Sequence, residues 1–269
     1  MIKFIRFLKP NWELLLIFTR RSIASRYKGS ILGSIWSAIN PVLMISIYTL
    51  VFSNIFQTRW TSGTSSHIQG PLNYAVNLFA GLIIFNMFAE CATKSPTVIV
   101  QNPNYIKKIV FPIEILCVTI IISSLVDAII GTTILVLMMT ISGNTLSPNI
   151  VLIPIVWLPF MLKLLGFSWL LATIGVYIRD IMQIMSSFVS AMMFLSPIFY
   201  PVEALPQKLR FLAEINPIAS TIGMNRDLLI NGILPNISVI IPNMIASIVW
   251  CELCYRLLKN KQYKFSDYI

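Results

Sequence analysis

Charged residues are scarce in this sequence. Only 11% of its 269 residues are Asp, Glu, Lys or Arg, whereas 57% are hydrophobic. Soluble domains carry about 25% charged residues, because water must solvate most of their surface. The composition therefore excludes an ordinary soluble globular protein and predicts a chain whose surface meets mainly lipid.

Groups that carry chemistry are also few. His67 is the only histidine, which excludes a histidine-based triad and a multi-histidine metal cluster. Cys251 and Cys254 have no second Cys-x-x-Cys beside them, so we interpret them as packing residues of an apolar helix. The spacing nearest to a phosphate loop, Gly29 to Gly33, is followed by Ser34 where that loop needs lysine. We therefore predict no catalytic residue, no metal site and no cofactor in this chain.

Long apolar runs dominate what is present. A helix needs about 20 apolar residues to cross the hydrocarbon core of a membrane. Six candidate spans are Gly33 to Phe56, Tyr74 to Thr93, Cys117 to Thr140, Leu152 to Tyr177, Met182 to Phe199 and Ile237 to Leu257. The sequence thus predicts an all-α, multi-pass membrane protein with six transmembrane helices.

The basic residues predict the orientation of these helices, because cytoplasmic segments carry the excess of Lys and Arg. With the N-terminus inside, fifteen such residues fall in cytoplasmic segments and four in external ones. We therefore predict that both termini are cytoplasmic. The same placement, close to apolar runs, favours contact with membrane lipid over binding of nucleic acid.

The segment before the first span has helical amphipathicity. On a helical projection Glu13, Arg20, Arg21 and Lys28 share one sector, with apolar residues opposite. We predict a cytoplasmic helix within residues 1–30 that lies on the membrane surface and carries Glu13, Arg20, Arg21 and Arg26. The alternative is an ordinary basic flank of the first span.

Two charges fall inside predicted spans. Asp127 lies about ten residues into the third span, and Lys163 about ten residues into the fourth. Each costs about 2.5–3.5 kcal/mol at a helix centre. Because the two helices run in opposite directions, both charges are near mid-depth, where they can face each other. One interpretation is a buried pair that fixes helix packing, and the other is a polar contact that lines a pathway.

Four sequence segments follow one another in the order shown by the type-2 ATP-binding-cassette (ABC) export permeases. They are RYKGSILGSIW at 26–36 with NP at 40–41, NPNYIKKIVFPIE at 102–114, YIRDI at 177–181, and SPIFYPVEALP at 196–206 with NP at 216–217. The chain closely resembles the branch of this family that moves polysaccharides, O-antigen and teichoic acid chains.

The resemblance implies a half-transporter with a single transmembrane domain over residues 1–269. Residues 33–257 form its six-helix region, residues 258–269 a cytoplasmic tail, and the polar loop from Pro201 to Asn236 external re-entrant helices. The subunit pairs with a copy of itself, and each copy docks a separate ATPase that binds Mg-ATP. The residues implied in this docking are Asn102, Pro103, Tyr105, Lys107, Lys108, Phe111, Pro112, Glu114, Arg179 and Asp180. For Lys107 and Lys108 the alternative is simple anchoring of the topology.

A conduit for sugar polymer suits aromatic side chains, because flat rings stack on sugar surfaces. Tyr48, Phe52 and Phe56 recur every four residues along the first span, and Phe199 and Tyr200 are predicted at a similar height. We consider these five residues candidates for the conduit. Packing between helices, or an aromatic belt at the membrane interface, is the alternative.

Together these features predict the permease subunit of an ATP-driven exporter in the bacterial inner membrane. Its expected substrate is a lipid-linked polysaccharide such as O-antigen or capsule, which connects it with lipopolysaccharide biosynthesis. One alternative is the same machine exporting teichoic acid, lipid or a drug. An alternative of another class is an ion-coupled carrier or channel that uses Asp127 and Lys163.

Overall fold

Helices make up the described part of the chain. A computed structural model describes residues 10–26, 28–51, 72–107, 111–142 and 147–268. The α-helices are α1 (Trp12–Arg26), α2 (Trp36–Tyr48), α3 (Leu72–Val98), α4 (Pro103–Lys107), α5 (Glu114–Ile141), α6 (Ile153–Tyr177), α7 (Ile181–Leu195), α8 (Gln207–Ile215), α9 (Pro217–Arg226), α10 (Ile237–Lys261) and α11 (Phe265–Tyr268). Short 3-10 turns are Gly33–Ile35, Pro148–Leu152, Val202–Ala204 and Gln262–Lys264, and a π-turn, Asp227–Asn231, extends α9. Over these residues the all-α prediction is confirmed.

The helices differ in whether they are long enough to cross a membrane. Within the described residues four segments are long and apolar enough: Tyr74–Val98, Glu114–Ile141, Pro148–Tyr177 and Ile237–Tyr268. Two shorter apolar helices, Trp36–Val51 and Ile181–Leu195, coincide with the first and fifth predicted spans. The fifth ends before Phe199 because Pro197 disfavours the helical conformation at Ser196. The six-span count therefore stays a prediction.

The centre of the bundle is α3. It packs against α5, α6, α7 and α9, while α10 packs along α6 and α1 along α5. Most of α3 is buried, whereas α2, α7 and α10 leave many large apolar side chains exposed. Such faces suit helices that meet lipid or a second subunit.

Small residues bring α3 and α6 close together. A Cβ atom added at Gly175 would lie 1.9 Å from the carbonyl oxygen of Pro96, so the backbones touch at this point. Nearby, the buried hydroxyls of Ser95 and Ser168 form a hydrogen bond of 2.7 Å. Close packing through small residues, reinforced by a polar contact, is typical of membrane helices.

The connection between α7 and α10 folds back onto the bundle. Asn216 caps α9, because its side-chain oxygen accepts a hydrogen bond of 2.9 Å from the backbone N–H of Ile218. The amide nitrogen of Asn216 also donates to the Ser196 hydroxyl at 3.0 Å, just after α7. From this cap α9 packs against both α3 and α6.

Candidate functional site

Three charged side chains meet where α1, α3 and α5 converge. Arg26, the last residue of α1, forms ion pairs with Glu90 of α3 and Asp127 of α5. It also donates a hydrogen bond of 3.0 Å to the hydroxyl of Ser123. Lys94 lies 2.7 Å from the carboxylate of Glu90. The cluster thus places positive charges against both carboxylates, and a carboxylate removed from water is costly without a counter-charge.

The pair considered for Asp127 and Lys163 does not form. Asp127 binds Arg26, whereas the ammonium of Lys163 donates to the side-chain oxygen of Asn243. The physical reason is the packing of the helices. Helix α1 lies against α5 and brings its terminal arginine to Asp127, while Lys163 lies on the side of α6 that faces α10. A carrier site built from both residues together loses its support.

A cleft of about 470 Å³ opens beside the Arg26 cluster. Arg26, Glu90 and Asp127 line it together with the amides of Asn40 and Asn86. Apolar side chains of α2, α3 and α5 form the remaining walls. The cleft therefore offers carboxylate and amide hydrogen-bonding groups within an apolar frame, which suits a polar ligand.

Tyr105 is the centre of an aromatic cluster at one end of the bundle. Its ring centroid lies 4.7 Å from that of Phe111 and 5.4 Å from that of Phe18 on α1. The guanidinium of Arg21 donates a hydrogen bond of 3.2 Å to the Tyr105 hydroxyl. The cluster joins the predicted coupling segment to the predicted surface helix.

The flanks of Tyr105 are built from helix-terminating residues. The side chain of Asn102 donates to the carbonyl of Val98 at 2.8 Å, directly after α3 ends. Pro103 starts α4, where its missing N–H costs no hydrogen bond. Lys107 is the last residue of α4, and Lys108 lies outside the described residues.

Glu114 is buried inside the protein, so it is unavailable for direct contact with an ATPase. Its exposed fraction is 0%, and it forms an ion pair with Lys259 of α10. The carbonyl of Pro112 accepts a hydrogen bond of 3.1 Å from the N–H of Ile115 and begins the first turn of α5. The structure therefore makes Glu114 an anchor between α5 and α10, which corrects its predicted place in the docking surface.

Arg179 and Asp180 are exposed in the turn between α6 and α7. This turn lies beside the C-terminal helix, because the ring of Tyr177 is 4.8 Å from that of Tyr268 and 6.1 Å from that of Phe265. Helix α11 in turn contacts α4. Both predicted coupling segments are therefore neighbours of the same C-terminal helix.

Helix α1 has one buried side and a mixed outer surface. Leu15 and Thr19 are buried against the bundle, whereas Glu13 and Arg20 are exposed. Ile17 is exposed as well, so apolar and charged side chains share the outward face. Such a surface suits contact with either lipid headgroups or protein.

The aromatic stripe predicted for the conduit is described only at its first residue. Tyr48 is the last residue of α2 and is partly buried against the core. Phe52 and Phe56 lie outside the described residues. The conduit assignment of this stripe therefore stays a prediction.

Phe199 and Tyr200 lie together after α7. The ring of Phe199 stacks on that of Phe194 with a centroid distance of 6.1 Å, and its carbonyl accepts a hydrogen bond of 2.7 Å from the Tyr74 hydroxyl. The hydroxyl of Tyr200 donates to the carbonyl of Phe194 at 2.8 Å. These contacts fix the segment that leaves α7 against the start of α3.

On sequence alone Arg226 counts as a charge of an external loop, but it is buried at the end of α9. Its guanidinium donates to three carbonyls, those of Asn77 at 2.8 Å, Pro197 at 2.6 Å and Ile198 at 2.8 Å. Gly81 provides room for this guanidinium, because a Cβ atom at position 81 would lie 2.7 Å from the Arg226 side chain. Arginine is suited to this role because its five donors form a rigid fork.

The residue before Arg226 is also a buried polar group. Asn225 accepts a hydrogen bond of 3.0 Å from the Trp157 ring nitrogen and donates to the carbonyl of Ala80 at 2.9 Å. In the sequence, the adjacent polar residues Asn225 and Arg226 lie between apolar stretches, and this pattern indicates a buried polar site.

Comparisons with known proteins cover most of these elements. The family model described as "ABC-2 type transporter" matches residues 13–230, which run from α1 through α9. An "O-antigen export system permease protein RfbA" of Klebsiella pneumoniae is 30% identical over 224 residues, 83% of this chain and 82% of the relative. A second Klebsiella pneumoniae protein of that name is 28% identical over the same shares. One from Myxococcus xanthus is 22% identical over 271 residues, the full length of both chains. With a family match over most of its length, the chain belongs to the ABC-2 type transporter family.

Proposed function

We propose that this chain is the permease subunit of an ATP-driven exporter that moves O-antigen, as a lipid-linked polysaccharide, across the inner membrane. The family assignment establishes a multi-pass membrane transporter protein. The observation that carries the substrate class is the likeness to O-antigen export permeases over more than four fifths of both chains. Capsule polysaccharide belongs to the same chemical class.

The end of the bundle that holds α4 and α11 is the proposed docking surface for a separate ATPase subunit, which binds Mg-ATP. Movement of α4 reaches α1 through the ring contacts of Tyr105 with Phe18 and Phe111. Arg179 and Asp180 supply a second exposed contact beside α11. A packed aromatic cluster transmits such movement well, because its rings cannot be compressed.

In this proposal six helices cross the membrane, both termini are cytoplasmic, and α8 and α9 are external re-entrant helices. The distribution of basic residues supports the orientation. Helix α7 has 15 residues and spans about 22 Å, less than the hydrocarbon core, so the following segment completes the crossing. Ile218, at the start of α9, lines a groove together with Phe88 and Lys163, which supports the re-entrant path.

A second copy of the chain completes the proposed transporter. One subunit leaves the apolar faces of α2 and α7 exposed, and these faces supply surface for a homodimer. The polymer is expected to pass between the two copies, with Tyr48, Phe199 and Tyr200 along its path. Aromatic faces there stack on sugar rings without selecting one linkage.

Purification with native partners tests the proposal. The tagged chain is isolated in mild detergent, vanadate-sensitive ATP hydrolysis is measured, and co-eluting proteins are identified by mass spectrometry. We expect a stoichiometric ATPase subunit, and lipid-linked glycan accumulating inside cells that lack the gene. A chain that repeatedly purifies alone, with no glycan accumulating in those cells, contradicts the exporter assignment.

A further inference from the structure

A groove of about 480 Å³ surrounds Lys163 near the middle of α6. Its walls are almost entirely apolar and include Phe88, Phe160, Phe167, Phe188, Met192 and Trp250. Phe88 stacks on Phe167 at a centroid distance of 6.0 Å and meets the edge of Phe188 at 6.2 Å. The groove has the size and the wall chemistry of a site that holds a hydrocarbon ligand.

The groove opens between α7 and α10, where Phe188, Ala246 and Trp250 are exposed. In a membrane-spanning bundle an opening between two helices faces the lipid bilayer. A lipid chain can therefore enter the groove laterally from the membrane. The indole of Trp250 is held in place because its ring N–H donates to the carbonyl of Lys163 at 3.2 Å.

Lys163 gives this groove a charge. It is the eleventh residue of α6, roughly 15 Å from the start of the helix, and therefore lies close to mid-depth. Its ammonium has three donors, of which one is directed at the neutral side chain of Asn243. Among the side chains that the structure describes, no carboxylate lies within ion-pair distance of it.

The charge and the apolar wall belong to one cavity. Helix α9 begins at the groove, where Pro217 and Ile218 line the wall. Its first N–H groups are already bound to Asn216, so the ammonium of Lys163 is the group that offers a charge to an anion. A cation thus lies in a cavity whose other walls suit a hydrocarbon chain.

We propose that this groove binds the phosphate-bearing lipid anchor of the exported chain, with the hydrocarbon along the aromatic wall and a phosphate oxygen on Lys163. The inference rests on the proposed function and assigns a site within it. A phosphate that crosses the membrane must pass mid-depth, where an ammonium offsets much of its lost hydration. Lys163 then binds the phosphate head group of the substrate lipid. This site is separate from the polar cleft beside Arg26.

Binding to the full-length chain in nanodiscs of zwitterionic lipid tests this assignment. The probes are geranylgeranyl phosphate, the uncharged alcohol geranylgeraniol, and inorganic phosphate. We expect the lipid phosphate to bind about tenfold or more tightly than the alcohol, and inorganic phosphate not to compete. Lys163→Met removes this preference, whereas Lys163→Arg retains it.

A second pair of variants leaves Lys163 in place. Ala246→Trp fills the groove and should weaken both lipid probes, while Ile245→Trp, at an exposed neighbour outside the groove, should weaken neither. If Lys163→Met does not fold, the Ala246→Trp result decides. The assignment is overturned if Lys163→Met keeps the preference for phosphate, if inorganic phosphate competes equally, or if filling the groove changes nothing.

These outcomes are distinct from those of the export assignment, because the binding measurement needs no ATPase. If the chain binds the lipid phosphate but has no ATPase partner, the export function is contradicted and the lipid-phosphate site at Lys163 is supported. If the chain purifies with its ATPase but does not prefer the lipid phosphate to the alcohol, the export function is supported and the lipid-phosphate site is contradicted.

Discussion

Lys259, near the C-terminal end of α10, forms an ion pair with Glu114, the first residue of α5. The carboxylate is fully buried, whereas the side chain of Lys259 is 36% exposed, so a cation at the rim of the protein neutralises a charge inside it. The pair fixes α10 to the start of α5, directly after the predicted coupling segment. Contacts within a single helix cannot supply such a connection.

Removal of the cation from this pair should destabilise the protein. Lys259→Met leaves the Glu114 carboxylate buried without the lysine, and we expect the free energy of unfolding to fall by roughly 3 kcal/mol. Adding Glu114→Gln should recover most of this loss, because a neutral amide needs no counter-charge. Unfolding in detergent, followed by circular dichroism, measures both effects.

The matched control for Lys259 is Arg256, which pairs with Glu252 one turn away on the exposed face of α10. Arg256→Met should change the free energy of unfolding by less than about 1 kcal/mol, because water screens an exposed pair. A double variant no more stable than Lys259→Met alone would show that burial of the Glu114 charge is not the cause.

Lysine should replace Arg26 only in part, as measured by the free energy of unfolding. Arg26→Lys supplies one compact ammonium where a forked guanidinium reaches both Glu90 and Asp127. We expect Arg26→Met to lower the free energy of unfolding by about 2 kcal/mol, less than at a fully buried pair because the side chains of Arg26, Glu90 and Asp127 are 20%, 14% and 34% exposed. Arg26→Lys should recover only part of that loss, and adding Asp127→Asn to Arg26→Met should also recover part.

The same variants can be scored in cells by the surface display of the glycan, with the amount of permease in the membrane as reference. Arg256→Met is the control, since Arg256 belongs to an exposed pair on α10 and not to the cluster. Full activity and stability of Arg26→Met would contradict a structural role for the cluster.

Gly175 tests the contact between α3 and α6. In Gly175→Ala the new methyl group would overlap the Pro96 carbonyl, so the helices must separate, and we expect a loss of about 3 kcal/mol. Gly223→Ala is the control, because no atom lies within 4 Å of its added Cβ and alanine favours the helix by up to about 1 kcal/mol. Thermal unfolding of both variants should give shifts of opposite sign, and an unchanged Gly175→Ala would show that the contact relaxes freely.

Tyr105 tests transmission from the ATPase. Tyr105→Ala removes the α4 ring that contacts both Phe18 and Phe111, so we expect ATP hydrolysis to continue while export falls about tenfold or more. Tyr105→Phe keeps the ring and loses only the hydrogen bond from the exposed Arg21, so its export should stay close to normal. The ratio of glycan exported to ATP hydrolysed is the measurement. Normal coupling in Tyr105→Ala would contradict the role of the cluster.

Much of the fold was predictable because lipid allows few alternatives. A long apolar run must form a helix to satisfy its backbone, and the second, third, fourth and sixth predicted spans coincide with α3, α5, α6 and α10. The coupling role of residues 102–114 rests on the resemblance to a family and stays a prediction. The proline and polar residues of this segment also favour a break between α3 and α5.

The partners of the charged residues were not predictable. Asp127 was predicted to lie within the third span and to face Lys163, but its partner Arg26 comes from a helix outside the predicted spans. Which side of a membrane helix turns inward is poorly encoded, because lipid-facing and protein-facing residues are both apolar. Glu114 follows a polar segment, and this context predicts that it is exposed to water. Its burial becomes evident only from the packing of α10.

Arg226 connects three parts of the chain that a moving transporter would otherwise be free to separate. Because one rigid guanidinium holds carbonyls of α3 and of the segment after α7, any tilt of α3 must carry α9 and residues 197–198 with it. These three hydrogen bonds make α9, the start of α3 and residues 197–198 one mechanical unit. Between α1 and α2, Gly29 and Gly33 adopt positive φ angles of 88° and 51°, which glycine accommodates without strain and which let the chain turn between these two helices.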